Sequence, residues 1–136
     1  MAEEKLQKLA IVTPERLVYT DEVRYVQARG AEGELGILPD HAPLITSLKI
    51  GVLRIKKDGK WRKAAVSGGF LEVKNNRVVI LANTCEMAEE IDVERAKRAK
   101  ERAEQRLAAP TPDIDVPRAQ AALARAMARL QAAAPD

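Results

Sequence analysis

The six-residue phrase Ile91-Asp92-Val93-Glu94-Arg95-Ala96 returns later in the chain as Ile114-Asp115-Val116-Pro117-Arg118-Ala119. Each copy has the chemistry of a helix start. The carboxylates of Asp92 and Asp115 can accept hydrogen bonds from free first-turn N–H groups and face the positive end of the helix dipole. Ile91 and Ile114 precede them, where an apolar side chain packs back onto the first turns. Pro117 falls within the first turn, where its missing N–H costs nothing. Apolar residues then recur at three- and four-residue steps: Val93, Ala96, Ala99, Ala103 and Leu107, then Val116, Ala119, Leu123, Ala126, Leu130 and Ala133. Pro110-Thr111-Pro112 separates the two runs, so they predict an antiparallel hairpin of two helices. Their shared seam is mostly alanine, a strong helix former with little apolar area to bury. The helices are expected to form on local propensity and to dock weakly.

The chain before this hairpin has a different period. Residues 5–13 read as a strand ended by Thr13-Pro14, and Val23 to Arg29 as a second. The glycines and prolines between Glu32 and Leu44 interrupt any long regular element. Ile45 to Lys57 gives further strand, broken at Gly51, and Asp58-Gly59 turns it into Trp61–Ser67. After the break at Ser67-Gly68-Gly69, Phe70–Lys74 pairs with Arg77–Leu81 through Asn75-Asn76, a turn suited to positive φ. Short strands with frequent turn signals predict a sandwich or barrel rather than a βαβ sheet.

Several function classes are excluded by what the chain carries. One histidine and one cysteine cannot build a structural zinc site, and neither a P-loop nor a dinucleotide fingerprint is present. Adjacent Asp40 and His41 read as a polar loop tip rather than parts of a triad with Ser47 or Ser67. Cys85 reads as a small buried apolar residue, and a lone cysteine fits a reducing compartment. A net charge of +3 without aromatic platforms gives no reason to expect nucleic acid. No apolar run approaches the length of about 20 residues that a membrane-spanning helix needs.

The arginines of the hairpin carry the functional signal. Arg95, Arg98, Arg102 and Arg106 rise along one side of the first helix, with Glu94, Glu101 and Glu104 as local partners. On the second helix, Arg118, Arg125 and Arg129 share one side, and residues 116–134 contain no acidic residue. Folding the helices together lets the two rows converge, where they repel unless an anion lies between them. Arginine's planar fork suits phosphate and carboxylate alike, so both a nucleotide and an acidic protein surface fit.

Three motifs resemble one family in its order and spacing: Gly33-Glu-Leu-Gly-Ile-Leu-Pro-Asp-His-Ala-Pro-Leu44, Ser67-Gly-Gly-Phe-Leu-Glu-Val73, and Ile-Asp-x-x-Arg-Ala at 91–96. The chain is similar over nearly its whole length to the epsilon subunit of F-type ATP synthases, and most of all to the bacillus-type, ATP-binding class. The resemblance implies a β-sandwich of about ten strands followed by a C-terminal antiparallel α-helical hairpin. The division expected is a rotor-binding sandwich over 1–87 and a regulatory two-helix domain over 88–136.

It further implies a non-catalytic central-stalk subunit that couples proton flow to ATP synthesis and restrains ATP hydrolysis. Expected partners are the gamma subunit, the c-subunit ring and, through the C-terminal helices, the catalytic beta and alpha subunits. Such a chain lies at the cytoplasmic face of the bacterial cell membrane, held there only through the complex. By position, Glu34 and His41 correspond to the contact with the c ring. The ATP site maps onto Glu86, Ile91, Asp92, Arg95, Ala96 and Arg102, with Arg118, Ala122, Arg125 and Arg129 from the second helix. ATP is a regulatory ligand there, with or without magnesium, and no cofactor is required. Asp40 stands where the family commonly has glycine, and Pro117 stiffens the join between the helices. A free-standing nucleotide-sensing or anion-binding module is the alternative.

Overall fold

The computed structural model describes residues 4–135, so the outermost residues of the two expected domains, 1–3 and 136, lie outside it. Eight strands come first: β1 (Gln7–Val12), β2 (Leu17–Val23), β3 (Tyr25–Gly30), β4 (Gly33–Ile37), β5 (Leu44–Lys57), β6 (Lys60–Lys74), β7 (Arg77–Ala82) and β8 (Cys85–Met87). A short 3-10 turn, Ala88–Glu90, leads into helices α1 (Val93–Ala108) and α2 (Val116–Ala133). The strand order is β2-β1-β7-β6-β5-β3-β4, with β8 also paired to β6.

The long β5–β6 hairpin makes one sheet into two layers. Residues 44–48 of β5 pair with the end of β6, which also holds β7. Residues 52–57 pair with the start of β6, which holds β8, while β3 pairs along the other side of β5. The crossing occurs around Gly51 and Gly68-Gly69, where the sequence breaks the strand pattern. Gly68 and Gly69 have φ of +90° and +132°, and a Cβ on Gly69 would lie 2.1 Å from the Leu81 carbonyl oxygen. Only glycine fits that corner. Each long strand therefore serves both layers, and the expected count of about ten becomes eight continuous strands.

Three elements differ from the sequence expectation. β2 has no clean alternation to announce it, because it is an edge strand with a mostly solvated pattern. β8 is three residues long, too short to carry a period. β4 forms despite two glycines because its pairing with β3 supplies the ladder. A Cβ at Gly36 would meet the Tyr25 hydroxyl at 2.2 Å, so the Tyr25 side chain lies over that glycine, whose ladder partner is Gln27. The turns behave as read: Asp58, Asn75 and Asn76 all have positive φ.

Between the layers lies a core of branched side chains, among them Leu9, Ile11, Val26, Leu53, Ile55, Leu71 and Ile80, each at most 1% exposed. Burying such a side chain contributes roughly 1.5–3 kcal/mol. The helices pack more thinly. Ala96, Ala103, Ala119 and Ala126 fill the α1–α2 seam, while Ala128 and Ala132 of α2 meet Ala65 of β6, with Ile91 beneath them. An alanine methyl contributes about 0.8 kcal/mol when buried. The second helix thus bridges the sheet and the first helix through small contacts on two faces.

Candidate functional site

Both helices start as their repeated phrase dictates. One carboxylate oxygen of Asp92 accepts from the Arg95 backbone N–H at 3.1 Å, and Asp115 does the same for Arg118 at 3.1 Å. Arg95 is thereby set in the first turn of α1, with Arg102 two turns further along the same side. Behind them run β8 and the 3-10 turn. That turn is fixed by ion pairs from Arg62 to Glu89 and from Arg16 to Glu90, the latter at 2.7 Å.

A cleft of about 390 Å³ opens between these elements, lined by Glu86, Glu90, Asp92, Arg95, Ala96, Ala99, Arg102 and Arg129. Six of the ten expected nucleotide-site residues line it: Glu86, Asp92, Arg95, Ala96, Arg102 and Arg129. Arg125 instead lines a small adjoining hollow together with Ser67, Thr84, Glu86 and Arg129. Ile91 is buried under α2, Ala122 is half-buried, and Arg118 is exposed at the start of α2. Arg98 and Arg106 are also exposed, away from the cleft lining.

One second-helix arginine, Arg129, does find an acidic partner, contrary to what the helix alone suggests. Arg129 Nε donates to Glu86 Oε1 at 2.5 Å, with both side chains about one-third exposed. The pair joins residues 43 positions apart, so no local pattern could announce it. Sequence reasoning also missed Glu90, whose carboxylate accepts from the Met87 backbone N–H and binds Arg16. The cleft is consequently divided. Carboxylates of Glu86, Glu90 and Asp92 stand on the β8 and helix-cap side, and Arg95, Arg102 and Arg129 on the helical side. Such a wall can hold an anion with its arginines and accept hydrogen bonds from amino or hydroxyl groups with its carboxylates.

The chain belongs to the delta/epsilon family of ATP synthase chains. Residues 6–88 match the family described as "ATP synthase, Delta/Epsilon chain, beta-sandwich domain", and residues 89–134 match "ATP synthase, Delta/Epsilon chain, long alpha-helix domain". A relative from Desulforamulus reducens, named ATP synthase epsilon chain, is 64% identical over 103 residues, covering 76% of this chain and 78% of its own. One of the same name from Carboxydothermus hydrogenoformans is 65% identical over 105 residues, covering 77% and 78%. Among solved structures, a chain of the Euglena gracilis mitochondrial ATP synthase (OSCP/F1/c-ring) superposes with a TM-score of 0.80 at 26% identity, covering 97% of this chain and 84% of its own. A chain of the Tetrahymena thermophila central stalk and c-ring assembly shares the fold, with a TM-score of 0.58 at 16% identity, over 96% and 95%.

The two positions expected at a c-ring contact, Glu34 and His41, lie along one edge of the sandwich. Glu34 is exposed on β4, an edge strand, and His41 follows in the loop leaving it. His41 Nδ1–H donates to the Ala42 carbonyl at 2.7 Å, which holds the ring against its own loop and supports no triad. Asp40 takes φ +62°, in the left-handed region that glycine adopts freely and Asp more readily than most residues. Its N–H donates to Asn76 Oδ1 at 2.9 Å, while Asn76 Nδ2 donates to the Leu6 carbonyl at 2.9 Å. The loop is thus tied to the β6–β7 turn and the approach to β1. Among the described residues, no helix is long and apolar enough to cross a membrane.

Proposed function

We propose that this chain is a non-catalytic rotor-stalk subunit of a proton-translocating F-type ATP synthase, and that its hairpin restrains ATP hydrolysis in response to ATP. The divided cleft is the observation that carries this reading. Phosphates suit Arg95, Arg102 and Arg129; an adenine amino group or ribose hydroxyls suit Glu86, Glu90 and Asp92. The cleft is completed only while α2 lies beside α1 and β8, so its ligand stabilises the folded-down hairpin. A ligand at a hundred times its dissociation constant adds about 2.7 kcal/mol, comparable with a few buried alanines. When ATP is scarce, α2 leaves the sheet about the Pro110–Pro112 join, and its arginines engage acidic surfaces of the catalytic alpha and beta subunits.

The sandwich offers two separate surfaces to the rotor. Leu17, Val12, Leu81 and Phe70 stand in register across β2, β1, β7 and β6, with Ile45 on the same side of β5. Leu17, Leu81, Phe70 and Ile45 are each more than half exposed. That apolar row supports docking of the gamma subunit, and the β4 edge with Glu34 and His41 supports contact with the c ring. The chain then sits at the cytoplasmic face of the bacterial membrane through these partners.

Two experiments test the proposal. Affinity-tagged chain should co-purify with gamma and c subunits from membranes; a partnerless monomer contradicts the rotor assignment and favours a free-standing nucleotide sensor. Calorimetric ATP titration of Arg95→Gln with Arg102→Gln, which leaves the Asp92 cap in place, should show affinity reduced at least tenfold. Unchanged affinity removes the cleft as the site.

A further inference from the structure

We infer that Lys63, a residue of the sandwich, is the electrostatic latch that holds α2 on the sheet. Lys63 lies on β6, outside the nucleotide cleft and outside every site residue assigned above. Its ammonium donates to the Gln131 carbonyl at 3.3 Å and to the Ala134 carbonyl at 2.5 Å. Gln131 lies in the last turn of α2, where its carbonyl also accepts from the Ala134 backbone N–H at 3.3 Å, and Ala134 is the cap residue that follows. The helix dipole is negative at this end, and carbonyls there run short of intrahelical donors.

The composition of α2 explains why this contact matters. α1 carries Arg106 in its own last turn, but α2 has no basic residue there, and its end has no glycine cap. The positive charge that suits the end of α2 comes instead from another element. It is available only while α2 is docked. Nearby, the helix meets the sheet through Ala128 and Ala132, whose methyl groups supply little apolar area. A charged donor bonded to two helix carbonyls is therefore a large share of what distinguishes docked from free α2. Glu86 and Arg129 hold the helix further toward its middle, but a bound anion competes for that pair; Lys63 is beyond its reach.

This inference rests on the reading of the hairpin as a detachable element and adds a ligand-independent restraint to it. Its test uses the full chain alone, without nucleotide or partners. Ala132 is 1% exposed against the sheet, so Ala132→Cys places a thiol that reacts only when α2 lifts. Native Cys85 sits in the sandwich core and serves as an internal control, because burial pushes its thiol up to about 11. Adding Lys63→Met, which keeps an apolar stem, should speed labelling of the new thiol by about tenfold, with Cys85 labelling unchanged. Lys63→Arg should restore slow labelling. Equal rates with and without the Lys63→Met change overturn the latch, as does parallel acceleration at Cys85, which reports general destabilisation. If Ala132→Cys itself labels at once, Ala128→Cys replaces it under the same criteria. A loosened latch with unaltered hydrolysis in the assembled enzyme leaves the latch standing and counts only against the inhibitory role of the hairpin.

Discussion

In the sandwich, Leu9, Ile11, Leu53, Leu71 and Ile80 interlock between two layers; in the hairpin, Ala96, Ala103, Ala119 and Ala126 face one another across a seam. The first kind of contact gives each residue a large apolar area to lose on opening. The second gives each residue one methyl group. The sandwich is held by burial and the hairpin by helix propensity, caps and a few charged contacts with β6 and β8. That difference is what the proposed combination of a fixed rotor component and a responsive hairpin in one chain requires.

Substitutions should separate the two regions in proportion to these forces. Ile80→Ala is expected to cost about 2–5 kcal/mol, seen as a lower midpoint for the whole cooperative transition. An effect confined to the hairpin would break the comparison. Ala126→Leu overpacks the seam at about 1–3 kcal/mol, and hydrogen exchange should accelerate in α1 and α2 while β1 and β7 keep their protection. Asp115→Ala removes a cap worth about 1 kcal/mol, so circular dichroism should show a less helical tail at an unchanged sandwich midpoint.

The smallest effect expected concerns pH. The Lys57 ammonium donates to Asp21 at 2.6 Å and, as the main cause, holds that carboxyl below its usual range. A lowered folded pKa stabilises above the unfolded value of about 3.9 and loses that contribution as pH falls through the folded value. Lys57→Met should therefore cost a little stability at neutral pH, with the gap to wild type closing in acid. Both side chains are about one-third exposed, so salt should shrink the gap as well.

The helices were legible because their information is local. A repeated cap, a proline break and a three-to-four period fix Asp92, Asp115 and the alanine seam without reference to distant residues. The turns at Asp58-Gly59 and Asn75-Asn76 were legible for the same reason. β2 and β8 were hidden because pairing partners, not their own patterns, make them strands. The site divides likewise. Arg95 and Arg102 could be placed beside Asp92 from helical spacing, whereas Glu86 closing on Arg129 depends on how α2 crosses β8. Lys63 carried no signal at all, since its role exists only through the end of a helix far along the chain.

The most direct test of a stable sandwich bearing a ligand-responsive hairpin is hydrogen exchange of the full chain with and without ATP. Without ATP, amides of α1 and α2 should exchange through local opening, well before those of β1, β6 and β7. Saturating ATP should slow the helical amides by roughly the hundredfold that ligand at a hundred times its dissociation constant supplies, leaving the sandwich amides unchanged. One uniform exchange rate across both regions, or helical amides indifferent to ATP, would contradict the account.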